Sequence, residues 1–197
     1  MTRALFELTF SLEFIKSIQS SIRLDPPKPL QHHLNPMNLP AHQLTMTVLM
    51  TPDKTNFFGN VHGGDVLKLL DQVAYACASR YAGHHVVTLS VDQVTFKQPI
   101  HVGELLTFLA SVNYTGTSSI EVGIKVISEN ILSKAVRHVN SCFLTMVAMD
   151  ADRKSTAVPK FNPVTPDEIR RYEAAILRRE MRKELEERFH KVRQSKT

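Results

Sequence analysis

Residues 65–82 read Asp-Val-Leu-Lys-Leu-Leu-Asp-Gln-Val-Ala-Tyr-Ala-Cys-Ala-Ser-Arg-Tyr-Ala. Apolar side chains stand at 66, 67, 69, 70, 73, 74, 77 and 78, the 3.6-residue spacing of an α-helix held for about five turns. Gly83 follows as the residue that ends such a helix in the left-handed conformation, and Gly63-Gly64 precede it. A helix that is apolar over most of its circumference has to be wrapped by other elements.

The flanking sequence supplies the wrapping. Residues 43–50 alternate and predict a strand, closed by the turn Thr51-Pro52-Asp53. After the helix, the runs 85–97, 103–114, 118–129 and 135–149 are rich in Val, Ile, Thr and Phe. Turns fall at Pro99 to Gly103, at Tyr114-Thr115-Gly116 and at Glu129-Asn130. One strand, one long helix and four more strands on short connections predict an α+β fold, an antiparallel sheet wrapped around a central helix. This is the hotdog arrangement. A sheet with a single helix for cover leaves open edges, so pairing with a second copy is expected.

Three segments follow from composition: an N-terminal extension and Pro-rich linker over 1–42, the hotdog domain over 43–160, and a charged C-terminal helix or tail over 161–197. In the first, Leu5, Leu8, Leu12 and Ile15 form one stripe, and five prolines lie between Pro26 and Pro40. Glu7 and Glu13 count against a transit peptide, and Met37 and Met46 are alternative starts. The last predicted helix opens at Pro166-Asp167-Glu168 and runs to about Lys191, with Glu184/Arg188 and Glu187/Lys191 spaced to pair. Its apolar stripe, Ile169, Tyr172 and Ile176, fades after the first turns, which predicts packing only at its start.

The net charge of +5 comes largely from the last thirty residues, and no basic cluster in the centre is interleaved with aromatics. Nucleic acid is therefore not an expected partner. No apolar run is long enough to span a bilayer. Cys77 and Cys142 lie in apolar stretches without metal or redox spacing, and read as buried thiols of a reducing, cytoplasmic compartment.

The chemistry concentrates at the start of the long helix. Gly63 and Gly64 leave backbone N–H groups unshielded where a helix has unpaired donors and partial positive charge, a place suited to a developing oxyanion. Asn60 and His62 lie beside them. Asp71 falls on the border between the apolar face and the polar strip of Lys68, Gln72, Tyr75 and Ser79. A carboxylate there is either solvated, with Lys68 as partner, or faces an interface crevice as general base or nucleophile. Gly64 and Asp71 are about 10 Å apart along one helix. One substrate carbonyl cannot reach both, so a working site needs the helix start of one subunit and Asp71 of another.

The stretch Pro52-Asp53, Asn56, Gly59-Asn60-Val61-His62-Gly63-Gly64, Leu67, Asp71, Ala74 and Ala78-Ser79-Arg80 resembles the cytosolic, brain-type acyl-CoA thioesterases and their small bacterial acyl-CoA hydrolase relatives. So do Val87-Thr88, Val91-Asp92, Phe96-Lys97-Gln98-Pro99, Val102-Gly103-Glu104 and Gly116-Thr117-Ser118-Ser119. The likeness covers roughly residues 45–160 and leaves both extensions outside. It implies a hotdog homodimer, often a trimer of dimers, that hydrolyses acyl-CoA to free acid and CoA. It assigns the site's asparagine to Asn60 and its acid to Asp71, shared across the dimer interface.

On that resemblance the Gly63 and Gly64 amides hold the oxyanion, Asp71 activates water or attacks, and Asn60 positions water or thioester. His62 either donates a hydrogen bond or orders its loop. Arg80, Lys97 and Arg137 are the candidates for the CoA phosphates, and Thr117, Ser118 and Ser119 for its pantetheine. Neither a metal nor a further cofactor is expected, since the histidines carry no metal-binding companion motif. The rival readings are a hotdog hydratase or dehydratase and a non-catalytic acyl-CoA sensor. The first lacks its catalytic His arrangement here, and the second has no use for Asp71.

Overall fold

The computed structural model describes residues 39–194, so the stripe expected at Leu5 to Ile15 lies outside the described residues. Chain order is β1 (Gln43–Leu49), a 3₁₀ turn (Pro52–Lys54), α1 (Gly63–Ala82), β2 (His85–Val91), β3 (Thr95–Phe96), β4 (Glu104–Thr115), β5 (Ser119–Asn130), β6 (Val136–Met149) and α2 (Pro166–Gln194). The antiparallel sheet runs β1-β4-β5-β6-β2, with β3 as a second, short partner of β6. The α+β hotdog expectation holds.

α1 starts and stops where its caps dictate. His62 is the extended N-cap, and its Nδ1 accepts the Gly64 N–H at 2.9 Å. Gly83 takes the left-handed conformation at φ 70° and returns its N–H to the Ser79 carbonyl. Val66, Leu70, Val73, Ala74, Cys77, Ala78 and Ala82 are buried against the sheet. Leu67, predicted on the apolar face, is exposed instead, because the sheet covers only one side of the helix.

The inner sheet face meets α1 with Leu106, Phe108, Ala110 and Val112 of β4, Ile120, Val122, Ile124 and Val126 of β5, and Cys142, Leu144, Met146 and Ala148 of β6. The period of two is that of a half-buried antiparallel sheet. The predicted run 85–97 divides into β2 and β3, since a bulge at Leu89 and the step across Asp92 break its register on β6. Among the described residues no helix is long and apolar enough to cross a membrane.

α2 crosses the outer face of the sheet. Tyr172 stacks with Tyr114 and Phe161, the Arg178 guanidinium lies 3.5 Å over the Phe143 ring, and Ala175 is buried. Arg178 and Arg182 both reach Glu121 on β5, and Arg182 reaches Asp92 as well. Docking therefore extends well past the first turns that sequence patterning allowed. Charged side chains make the later contacts, while Leu177, Met181, Leu185, Phe189 and Val192, spaced three or four residues apart, continue an apolar stripe that stays exposed.

Candidate active site

The loop before α1 is tied down by its own asparagine. Asn56 Oδ1 accepts the N–H groups of Phe58 at 2.9 Å and Asn60 at 3.2 Å, while the Asn56 N–H donates to the Asn60 carbonyl at 2.7 Å. Such asparagine turns free the loop from needing regular structure. Thr55 then bridges to Val61 and Asn60 to His101, fixing the loop beside the turn that leads into β4. A cleft of about 320 Å³ opens there, lined by Asn56, Asn60, Gly63, Phe96, Lys97 and Gln98 among others.

At the start of α1, where Gly63 lines this cleft, the two glycines are not equivalent. The Gly64 N–H is already given to His62, whereas the Gly63 N–H has no partner among the described residues. The expected pair of free amides is thus a single free amide. A Cβ on Gly63 would sit 3.5 Å from the Phe96 ring, which also lines the cleft. Because His62 Nδ1 accepts, a neutral imidazole carries its proton on Nε2, leaving that atom as a donor. His62 orders the loop as the helix cap.

Asp71 lies on the exposed flank of α1, two turns beyond Gly63. Thr88 Oγ1, on β2, donates to its Oδ1 at 2.5 Å. Lys68, the alternative partner on the same helix, makes no ion pair with it. The carboxylate is held by the neighbouring edge strand and keeps its other oxygen open. Around it Leu67, Tyr75, Val87 and Val91 are exposed, an apolar surround on the free edge of the sheet.

The residues proposed for CoA are scattered. Arg80 donates to the Gln43 carbonyl at 2.6 Å and the Leu39 carbonyl at 2.9 Å, fastening β1 to α1. Arg137 grips both oxygens of the buried Glu104, at 2.7 and 2.8 Å, and the Pro99 carbonyl at 3.2 Å. Burial alone would push the Glu104 carboxyl up, but donors from Ser128, the His101 N–H and Arg137 hold it below its ordinary value. Both guanidiniums are engaged inside the subunit, because long cations fold back onto whatever acceptors the packing brings near. Of the three cations only Lys97 lines the cleft.

Thr117, Ser118 and Ser119 sit at the β4–β5 hairpin, at the far end of the strands from His101 and Asn60. Those strands have twelve residues each. At ~3.3 Å per residue the separation is roughly 35 Å. The Thr117 carbonyl accepts the Val158 N–H, and the Ser118 carbonyl accepts that of Ala148. Within one subunit, then, the structure brings together Asn56, Asn60, Gly63 and Lys97, sets Asp71 apart, and leaves the hairpin remote.

Residues 58–135 match the family model described as Thioesterase superfamily. Protein VdlD of Helicobacter pylori is 56% identical over 140 residues, which cover 71% of this chain and 80% of that one. An apo-hexameric acyl-CoA thioesterase superimposes with a TM-score of 0.70 at 39% identity, over 72% of this chain and 91% of that one. The acyl-CoA hydrolase of Staphylococcus aureus, solved with butyryl coenzyme A, coenzyme A and coenzyme A disulfide, gives a TM-score of 0.70 at 31% identity, over 76% and 92%. Three further structures of the S. aureus enzyme replace by alanine an asparagine, an aspartate fifteen positions later and a threonine seventeen positions beyond that. The same intervals here join Asn56, Asp71 and Thr88, and they pass over Asn60. Asn56 and Thr88 stand among the residues that carry the resemblance, without a role in the site assigned to either from sequence. The asparagine turn Asn56 to Gly59 was a legible signal for the first, while the second is recognised only by its contact across the fold.

Proposed function

This chain belongs to the thioesterase superfamily, among its acyl-CoA thioester hydrolases, and from that premise we propose a site completed between two subunits. One subunit supplies Asn56, His62 and the Gly63 N–H, and the other supplies Asp71 and Thr88. The observation that carries this reading is the separation of the free Gly63 amide from the Thr88-held carboxylate. About 12 Å of helix lies between them, too far for one carbonyl carbon. Two α1 helices packed antiparallel about a two-fold axis remove the gap. The apolar edge around Asp71 and β2 gives such a pair something to bury.

In this arrangement the thioester carbonyl oxygen points at the Gly63 N–H. Asp71 of the partner subunit takes a proton from water while the water oxygen attacks the carbonyl carbon. Negative charge collects on the carbonyl oxygen, where the amide and the positive end of α1 stabilise it. The carbon–sulfur bond then breaks, the CoA thiolate takes up the proton, and the free acid leaves. Asn56, whose amide NH₂ remains available after its carbonyl orders the loop, positions water or thioester. Thr88 orients the carboxylate. Thr117 to Ser119, remote from the cleft of their own subunit, serve the pantetheine bound in the partner's cleft, with Lys97 as the phosphate contact.

Coenzyme A enters as part of the substrate and no further cofactor takes part. The assembly is a homodimer and, given a hexameric relative, three such dimers together. A cytoplasmic location is supported by two buried cysteines that stay unpaired. The test is thiol release from a panel of acyl-CoAs by the wild type and by Asp71→Ala. Wild type is expected to release CoA and the variant to lose nearly all turnover. Binding without release by the wild type would turn the reading to a sensor, and unchanged turnover in the variant would remove Asp71 from the mechanism.

A further inference from the structure

We propose that a recess on the outer face of the sheet is a second binding site, for a small anion carrying at least two phosphoryl groups. It lies between the first turns of α2 and strands β1, β4, β5 and β6, and has a volume of about 570 Å³, within the range of small-molecule sites. The sheet itself stands between this recess and α1, so it is separate from the thioester site of the same subunit.

Four nitrogenous side chains converge on it from three elements: Lys125 on β5, His138 on β6, and Arg170 and Arg171 on α2. Among the described residues no carboxylate lines it. The two buried acids of α2 and the outer sheet face are engaged elsewhere, Glu121 by Arg178 and Arg182, and Glu168 by His42 and two backbone N–H groups. Lys125 and Arg171 have no ion pair among the described residues, and the contact of Arg170 with Asp167 is long, 3.4 Å, and solvent-exposed. Two unpaired cations and the loosely held Arg170 around one concavity raise its local positive potential and favour a multiply charged anion over a single carboxylate.

The base of the recess is built, not merely left over. A bulge in β4 turns Asn113 over Gly123, and Asn113 is 1% exposed. Its Oδ1 accepts from Ser111, but its Nδ2 has no hydrogen-bond partner among the described residues. A Cβ on Gly123 would lie 2.3 Å from that nitrogen, so a glycine on β5 is what makes room for the amide. Buried donors in folded proteins almost always find an acceptor, and a phosphoryl oxygen is the acceptor missing here. The hydroxyl of Ser141, also lining the recess, and the His138 ring bonded to it at 2.8 Å supply further polar partners.

Calorimetric titration of inorganic pyrophosphate into the full-length protein tests this, with ADP as a second probe. Saturable binding is expected, weakening with added salt as charge pairing requires. Arg171→Ala and Lys125→Ala are each expected to weaken it about tenfold, a loss of the size given by one charge-assisted contact. Both side chains are partly or wholly exposed and have no ion pair to lose, so the thermal midpoint should stay within a degree or two. The KM for acyl-CoA should not move. ADP binding more tightly than pyrophosphate would identify a nucleoside diphosphate as the ligand class, and equal affinity would identify the phosphates alone. Three results overturn the proposal: no saturable binding of either probe, wild-type affinity in both variants, or a KM that rises in step with the lost affinity.

Discussion

Thr88 and Asp71 lie seventeen residues apart, on an edge strand and on the central helix, and are joined by a 2.5 Å hydrogen bond from hydroxyl to carboxylate. A flexible aspartate on an exposed helix flank samples several rotamers, and this bond selects one of them. Thr88→Val keeps the shape and removes the donor. Thiol-release kinetics should show kcat down about tenfold, the low end of the ~1.5–3 kcal/mol of a hydrogen bond to a charged group. Asp71→Asn should cost at least ~100-fold, the range of general-base catalysis. Equal losses in the two variants would contradict a positioning role for Thr88.

Subunit sharing makes a prediction that a self-contained site does not. Asn56→Ala and Asp71→Ala homo-oligomers should each be nearly inactive. After the two are mixed and allowed to exchange subunits, hetero-pairs carry one intact site of two, and activity should return toward a quarter of wild type at statistical exchange, by mass action alone. Assayed thiol release that stays at the baseline of the separate variants, with exchange verified by mass spectrometry, would place both residues in one subunit.

Glu168 ties the start of α2 to the core. Its oxygens accept the N–H groups of Thr165 and Val164, and His42 approaches at 2.9 Å. Those backbone donors first, and His42 after them, hold its carboxyl down to about 2, against an ordinary 4.5. A depressed folded value means that the contribution to stability is complete above about 4.5 and is lost as pH falls toward 2. Acid denaturation followed by circular dichroism should therefore show stability falling across that window. Glu168→Gln should be less stable at neutral pH and should lack that component of the fall.

Gly123 and Asn113 compete for one volume on the outer face of the sheet. Gly123→Ala puts a methyl group 2.3 Å from the Asn113 nitrogen, and overpacking of this kind costs roughly 1–3 kcal/mol. The double variant Gly123→Ala/Asn113→Ala removes the clash and should recover most of the loss. Denaturant midpoints of the two proteins decide it, since additive losses would mean the contact is not the cause.

Glu121, 3% exposed, is the buried carboxylate on which two arginines of α2 converge. Glu121→Gln leaves those cations short of their counter-charge, and breaking a buried pair from one side costs about 3–5 kcal/mol. The expected sign is a loss of stability with α2 released from the sheet, seen as faster amide exchange across Arg178 to Lys191. Protection equal to wild type would mean that the aromatic contacts of Tyr172 hold the helix by themselves.

The amino-acid sequence determined what depends on neighbours within a few residues. The spacing from Val66 to Ala78, the cap glycine Gly83 and the alternation in the strands set a long helix against an antiparallel sheet, as observed. Position around the helix also put Asp71 on its flank, and helix rise alone separated it from Gly63. Tertiary structure decided everything that turned on which distant group a side chain meets. Of two nearby asparagines, folding of the loop gave the ordering role to Asn56, and the relatives' intervals pointed to the same residue. It also consumed one of the two glycine amides in the His62 cap and turned Arg80 and Arg137 inward. Local periodicity fixes a residue's angle on its own element. The partner of a long or polar side chain is set by packing between elements remote in the chain, and Thr88 with Asp71 is the clearest case.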